Sequence, residues 1–210
     1  MFGGGVFDVF YRDYDEWYRR NWEIFESEVK ALESLGLHGR GLDVGVGTGV
    51  FASRLGIEFG VDLALNPLKL SMERGVEVLA ADGAHLPFRE RCFDYVVITI
   101  SVCFFEKPVD VFGEVVRVLK TGGSLAVCIV PRDSPWGRYY EELGKRGHRF
   151  YRYARFYTLN ELREMIESAG FEVEKVKATL SYSPSDEKRV EEPTETVEGR
   201  SFICVKAVLR

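Results

Sequence analysis

Three acidic residues and a ladder of glycines are the parts of this chain whose types and spacing point to chemistry. The short apolar run Leu42-Asp43-Val44 leads directly into Gly45, Gly47 and Gly49. Alternating glycines leave no Cβ atoms in the way, so a ligand can come within contact distance of the backbone. Residues 50–55 can then begin a helix whose free N–H groups point back at the same spot. Asp62 closes the next apolar run (Ile57, Phe59, Val61), and Asp82 closes a third (Val76, Val78, Leu79, Ala80, Ala81). If these runs are neighbouring parallel strands, their carboxyl ends share one edge and the three carboxylates gather around one crevice. Such a crevice suits hydroxyls and amines and repels phosphates.

That electrostatic preference separates two ligand classes. A dinucleotide fingerprint requires Gly-x-Gly-x-x-Gly with an acid about 20 residues on. Here the third glycine is at 49 and position 50 is Val, so binding of a nicotinamide cofactor is not expected. Asp62 alone fits either pattern. Asp43 and Asp82 favour a ligand with ribose, amine and adenine groups but no pyrophosphate, and S-adenosylmethionine is one.

Four motifs in order strengthen this: Leu-Asp-Val-Gly-Val-Gly-Thr-Gly (42–49), Gly-Val-Asp (60–62), Ala-Asp-Gly-Ala-His-Leu-Pro-Phe (81–88) and Phe-Asp-Tyr-Val-Val (93–97). Together they resemble the successive motifs of class I S-adenosylmethionine-dependent methyltransferases, in the type-11 branch that includes ubiquinone-biosynthesis-type enzymes. The similarity continues through Glu114 to Ser124 and, weakly, through Phe156 to Phe171. The resemblance implies a doubly wound α/β fold: a mostly parallel seven-stranded sheet with an antiparallel C-terminal strand. It implies that Asp62 bonds the ribose hydroxyls and that Leu63 flanks the adenine. Asp82 would accept from the adenine amine, with a backbone N–H of Gly83 or Ala84 meeting a ring nitrogen. Thr99, Ile100 and Ser101 would offer carbonyls to the amino group of the cofactor.

The elements that must position these groups follow from the apolar pattern. With 210 residues, 46% of them hydrophobic, the chain suffices for one α/β domain spanning 1–210. From Phe7 to Leu35 large apolar residues recur at helical spacing, as one helix or as two broken near Asn21. Residues 1–36 thus form a helical cap, either packed on the domain or covering the cofactor with Tyr14, Trp17 and Tyr18. The span from Gly49 to Asp62 leaves room only for a stubby helix. Asn66-Pro67 reads as the cap and first position of the next helix. Tyr95 to Ile100 is a central strand, with Ser101 to Phe105 at its carboxyl end. Pro108 to Leu119 is a helix stopped by Gly122-Gly123, followed by a strand over Ser124 to Val130. Thr158 with Glu161 forms a capping box. Phe171–Ser181 and Ser201–Leu209 are the last two strands, and 182–200 is an exposed acidic loop.

Residues 131–157 change in composition. Arg132, Arg138, Lys145, Arg146, Arg149, Arg152 and Arg155 alternate with aromatics that include Trp136, Tyr139, Tyr140 and Tyr151. This mixture invites phosphate contacts and base stacking. A formal charge of -5 and the absence of an RNA-binding module argue against a nucleic-acid partner. A lid over a small molecule is preferred, with Tyr14, Trp17, Tyr18, Phe104, Tyr139 and His148 as substrate-side candidates.

Other classes recede. Cys92, Cys103, Cys128 and Cys204 show neither zinc spacing nor a disulfide framework and read as buried thiols. No metal is expected. No run reaches membrane-spanning length and residues 1–10 lack a leader pattern, so a cytoplasmic protein is expected. Methyl transfer from a sulfonium needs an in-line nucleophile more than a dedicated base. If a base is used, His148 is the first candidate, ahead of Tyr18, Tyr139 and Glu106. The expected activity is methylation of a small molecule, against a cofactor-binding module without turnover. The acceptor and the oligomeric state are not legible.

Overall fold

The computed structural model describes residues 4–210. Helices α1 (Gly4–Arg20) and α2 (Trp22–Glu33) open the chain. Asn21 breaks them: its backbone leaves the helical region and its side chain donates to the Trp17 carbonyl at 2.6 Å. Then follow β1 (Gly41–Val44), α3 (Val50–Leu55), β2 (Phe59–Asp62), α4 (Leu65–Glu73), β3 (Glu77–Ala80) and β4 (Phe93–Thr99). The second half contains α5 (Pro108–Val118), β5 (Leu119–Ile129), α6 (Pro135–Lys145), α7 (Leu159–Ser168), β6 (Phe171–Thr179) and β7 (Phe202–Leu209).

The strands form one seven-stranded sheet in the order β3-β2-β1-β4-β5-β7-β6. The pairs from β3 to β5 are parallel, and β7 runs antiparallel to both its neighbours. Both faces are covered, and strand periodicity divides the core. Leu42, Val96, Ile98 and Leu125 share a cluster with Phe112, Val115, Leu162 and Ile166 of α5 and α7. Val97, Ala126 and Cys128 share the opposite cluster with Ile24 and Leu32 of α2 and Trp136 of α6. The capping box at Thr158 forms as its sequence requires. Among the described residues, no helix is long and apolar enough to cross a membrane.

Three local expectations are corrected. Helix α4 starts at Leu65, with Ala64 as its cap, because Asn66 is engaged elsewhere. The Asn66 backbone N–H donates to Asp8 Oδ1 at 2.7 Å and its amide donates to the Asp8 carbonyl at 3.1 Å. Pro67 is tolerated because the first helical N–H groups have no intrahelical acceptor. Gly122-Gly123 does not stop α5; it lies inside β5, where the register against β4 slips between Phe93 and Tyr95. Gly122 takes φ +74° there, a conformation that suits glycine at a bulge.

The third correction concerns the thiols. Cys128 and Cys204 face each other across the antiparallel β5–β7 pair and are joined as a disulfide, with Cα atoms 4.0 Å apart. Their sequence separation of 76 gave no spacing signal. Cys92 and Cys103 are free. Segment 182–200 is exposed along much of its length, but its acids are not all solvated. Glu191 accepts from the Ser181 N–H and hydroxyl at 2.8 and 2.6 Å and pairs with Arg189 and Arg200.

Candidate functional site

The chain turns from β1 into α3 through Gly45, Gly47 and Gly49, all with positive φ. Ser101, at the end of β4, occupies the space beside Gly45 and donates to the Val44 carbonyl at 2.8 Å. Gly47 is different: a Cβ there would meet nothing within 4 Å. Its N–H donates to Asp62 Oδ2 at 2.9 Å, and Asp62 Oδ1 accepts from the Ala64 N–H at 2.9 Å. The tip of β2 thus pins the glycine turn. The resulting cleft, about 520 Å³ with its open mouth included, is lined by Gly45, Gly47, Thr48, Asp62, Thr99 and Ser101 from the sheet edge, with Phe7, Tyr11 and Tyr14 of α1 across it.

Of the three carboxylates only Asp62, 8% exposed, lines the cleft. Asp43 is inside strand β1 rather than at its tip, 2% exposed, and Oδ1 has no partner. Burial, with the neighbouring Asp62 charge, pushes its carboxyl up to about 8. Asp82 lies two residues beyond β3, accepts from the Ala84 N–H at 3.0 Å, and lines a separate groove with Ala84, His85 and Phe105. Gly83 packs so closely on Val44 that a Cβ would come within 2.8 Å. Leu63 is partly exposed at 38% and outside the cleft lining.

Asp43 carries a stability prediction. A carboxyl whose folded value is raised keeps its proton while the unfolded chain has lost it, so stability falls as pH rises from about 4 to about 8. Asp43→Asn should flatten that decline and raise unfolding stability near pH 7 by about 2–4 kcal/mol. Urea unfolding at pH 5 and pH 8 checks it. An unchanged slope in the variant would mean that Asp43 is not the group responsible.

Helix α1 is latched over the glycine turn. Arg74 donates to Asp15 Oδ1 and Oδ2 at 2.8 and 2.9 Å and to the Thr48 carbonyl at 2.6 Å. The Thr48 hydroxyl donates to Asp15 at 2.8 Å. Asp15→Ala should free this end of the cap and weaken retention of a ligand beneath it by about tenfold, the scale of one or two charge-assisted bonds. Stopped-flow dissociation of S-adenosylhomocysteine measures it, and an unchanged off-rate would exclude a latch.

Two features escaped sequence reasoning. Ile100, between β4 and the turn at Ser101–Phe104, has φ +64°, unusual for a β-branched residue. The signal available was only its place at a strand end. The second is Glu28 of α2, 3% exposed among apolar residues. It lines a cavity of about 1270 Å³, open mouth included, whose walls include Tyr14, Tyr18, Trp136, Tyr140 and Tyr151. Trp17, Phe104, Tyr139 and His148 also line it, so all six substrate-side candidates fall here. Tyr140 and Tyr151 stack with centroids 4.4 Å apart, and His148 stacks on Tyr151 at 4.6 Å. His148 Nδ1 accepts from the Phe150 N–H at 3.4 Å, and its ring is held below its ordinary value by burial and by Arg149.

In the 131–157 segment Arg152 and Arg155 lie over the Tyr153 and Tyr157 rings. Trp136, Tyr140, Phe150 and Phe156 turn inward, while Arg132, Lys145, Arg146 and Arg149 pair with Glu161, Glu141, Glu142 and Asp13.

A family model described as a methyltransferase domain matches residues 42–127, from β1 into β5. A crystal structure from Thermotoga maritima, described as a SAM-dependent methyltransferase and possible histamine N-methyltransferase, superposes with a TM-score of 0.94 at 34% identity, covering 98% of this chain and 99% of that one. The chain belongs to the class I S-adenosylmethionine-dependent methyltransferases, in the type-11 branch. The methyltransferase is 37% identical over 202 residues to protein MJ1123 of Methanocaldococcus jannaschii, covering 96% of this chain and 98% of that one. It is also 32% identical over 183 residues to the malonyl-[acyl-carrier protein] O-methyltransferase of Geobacter sulfurreducens, covering 76% and 66% of the two chains. Its cofactor is S-adenosyl-L-methionine. The cleft suits that group: Gly47 leaves backbone approachable, and the buried Thr99 hydroxyl in the lining has no partner of its own.

Proposed function

We propose that this methyltransferase acts on a small-molecule acceptor held in the aromatic cavity. The observation that carries the proposal is a shared wall: Tyr14, Ile100 and Phe104 line both the glycine cleft and the aromatic cavity. A donor in one and an acceptor in the other would meet at that wall. In this reading Gly45, Gly47, Gly49, Asp62, Thr99 and Ser101 hold the cofactor at its sugar and amino-acid end. Asp82, Gly83, Ala84 and Leu63 receive the adenine across the neighbouring groove, and Asp43 supports the turn from beneath. Bound S-adenosylmethionine supplies a sulfonium methyl group to an in-line nucleophile.

The chain's own contribution is placement. The strained Ile100 sets the height of the dividing wall, and the rings of α1, α6 and residues 148–156 exclude water and orient the acceptor. Alignment of this kind accounts for about 7–11 kcal/mol of barrier. Segment 131–157 serves as the lid of the acceptor side. The Thermotoga relative is described as a possible histamine N-methyltransferase, and the rings of this cavity suit a small ring-bearing acceptor.

The test is release of S-adenosylhomocysteine in the presence of panels of small amines, phenols and thiols. Turnover on at least one panel supports the proposal. Tight cofactor binding with no release on any panel would favour a binding module instead.

A further inference from the structure

We propose that the methyl acceptor is a small amine, captured as its ammonium ion, and that the Glu28 carboxylate is the group that docks it. This deepens the methyl-transfer reading above and rests on it. Position 28 lies on the buried face of α2, in phase with Ile24, Ala31 and Leu32. A helix needs only apolar side chains there to pack, and yet it carries a carboxylate. Glu28 is 97% buried, taking its 3% exposure from unity, and its Oε2 has no hydrogen-bond partner. Buried polar groups are normally hydrogen-bonded, and one left open inside a cavity marks the place where a ligand completes the bond.

The surrounding groups specify the sign and kind of that ligand. Arg149 at the cavity wall is paired with Asp13, and Lys188 donates to the Asn21 side chain at 2.5 Å. Burial alone raises the Glu28 carboxyl, so it keeps its proton in the empty cavity, and an arriving cation is what would draw it into the charged form. The wall is built largely of the rings of Tyr14, Tyr18, Tyr140 and Tyr151, and aromatic rings are compatible with a cation beside them. An anionic acceptor would leave the Glu28 carboxyl protonated and gain no ion pair from it. Among the described residues, then, the cavity combines one unpartnered carboxyl, which an ammonium ion would ionise and pair with, and a largely aromatic wall, while the Lys188 ammonium on the same lining is held by the neutral Asn21 amide. His148 is less suited to the role because its Nδ1 already accepts from Phe150.

The chemistry balances without a further reactant. An ammonium has no lone pair, so one proton first passes from nitrogen to the Glu28 carboxylate. The freed lone pair then forms the N–C bond to the methyl carbon as the C–S bond breaks and its electron pair stays on sulfur. The product is a methylated ammonium beside a protonated Glu28, and the extra proton leaves to water when the product departs. Glu28 thereby binds the charged form and takes its proton at the same position.

Calorimetry with full-length wild type, Glu28→Gln and Glu28→Asp tests this, using three kinds of probe. 2-Phenylethylamine is the amine, 4-ethylphenol and phenylacetate are the neutral and anionic counterparts, and benzyltrimethylammonium is a cation that cannot be methylated. Wild type should bind the two cations and prefer 2-phenylethylamine over 4-ethylphenol and phenylacetate. Glu28→Gln should weaken both cations by about 30-fold, the scale of a lost charge-assisted contact, while S-adenosylhomocysteine binds as before. Glu28→Asp, which keeps the charge, should recover part of the cation binding, and this separates loss of the carboxylate from damage to the fold. Equal cation affinity in wild type and Glu28→Gln overturns the proposal, as does failure of both cations to bind wild type, or methylation of 4-ethylphenol in preference to the amine. If cations bind through Glu28 but no S-adenosylhomocysteine is released, the amine site stands and the methyl-transfer reading is what fails.

Discussion

Gly47→Val should leave a folded protein that no longer binds S-adenosylhomocysteine, with affinity lowered by at least about 100-fold, which is roughly 2.7 kcal/mol. The choice among the three glycines is decided by their surroundings. A Cβ at Gly45 would lie 2.4 Å from the Ser101 Cβ, and one at Gly49 would lie 2.3 Å from the Ser71 Oγ, so substitutions there disturb packing before they reach a ligand. At Gly47 there is nothing within 4 Å, and the new methyl groups would stand in the cleft. The φ of +53° adds strain of about 1–3 kcal/mol for a β-branched residue. At about 2–4 °C per kcal/mol for a chain of this size, the melting temperature should fall by several degrees while the fold persists. Calorimetric titration paired with circular dichroism measures both quantities. A folded variant with native affinity would place the cofactor elsewhere.

Local chemistry accounts for what could be read in advance. The Thr158–Glu161 box, the stubby α3 and the strand ending at Asp62 each depend on a few adjacent residues, and all appear in the fold. What was not legible depends on long-range placement. Cys128 and Cys204 each sit in an ordinary apolar strand, and only the β5–β7 register makes them partners. Asp43 looked like a strand tip because a glycine follows two positions on, yet β1 continues through Val44 and keeps the side chain inside. Asp82 follows its strand as expected, but its groove shares no lining residue with the glycine cleft. Glu28 carried no signal of its own in the sequence. The breadth of the buried face of α2, from Ile24 and Ser27 to Val29 and Leu32, becomes visible only once β6, β7 and the aromatic segment are packed against it.

Asp62→Ala should weaken cofactor binding by about 1.5–3 kcal/mol, or about 10–150-fold, the range for lost hydrogen bonds to a charged group. The geometry splits that loss between two sources. Both carboxylate oxygens hold backbone N–H groups, from Gly47 and from Ala64, so removal slackens the glycine turn as well as deleting an acceptor. Asp62→Asn is no gentler, because its NH2 would face one of those two N–H donors. The two sources separate with a ligand that lacks the proposed contact. Wild type should bind S-adenosylhomocysteine more tightly than its 2′,3′-dideoxy analogue, and in Asp62→Ala that preference should shrink toward zero, since the missing hydroxyls and the missing carboxylate are then the same interaction. An equal preference in both proteins would assign the lost affinity to the loosened turn, and the ribose would have to be read by another residue.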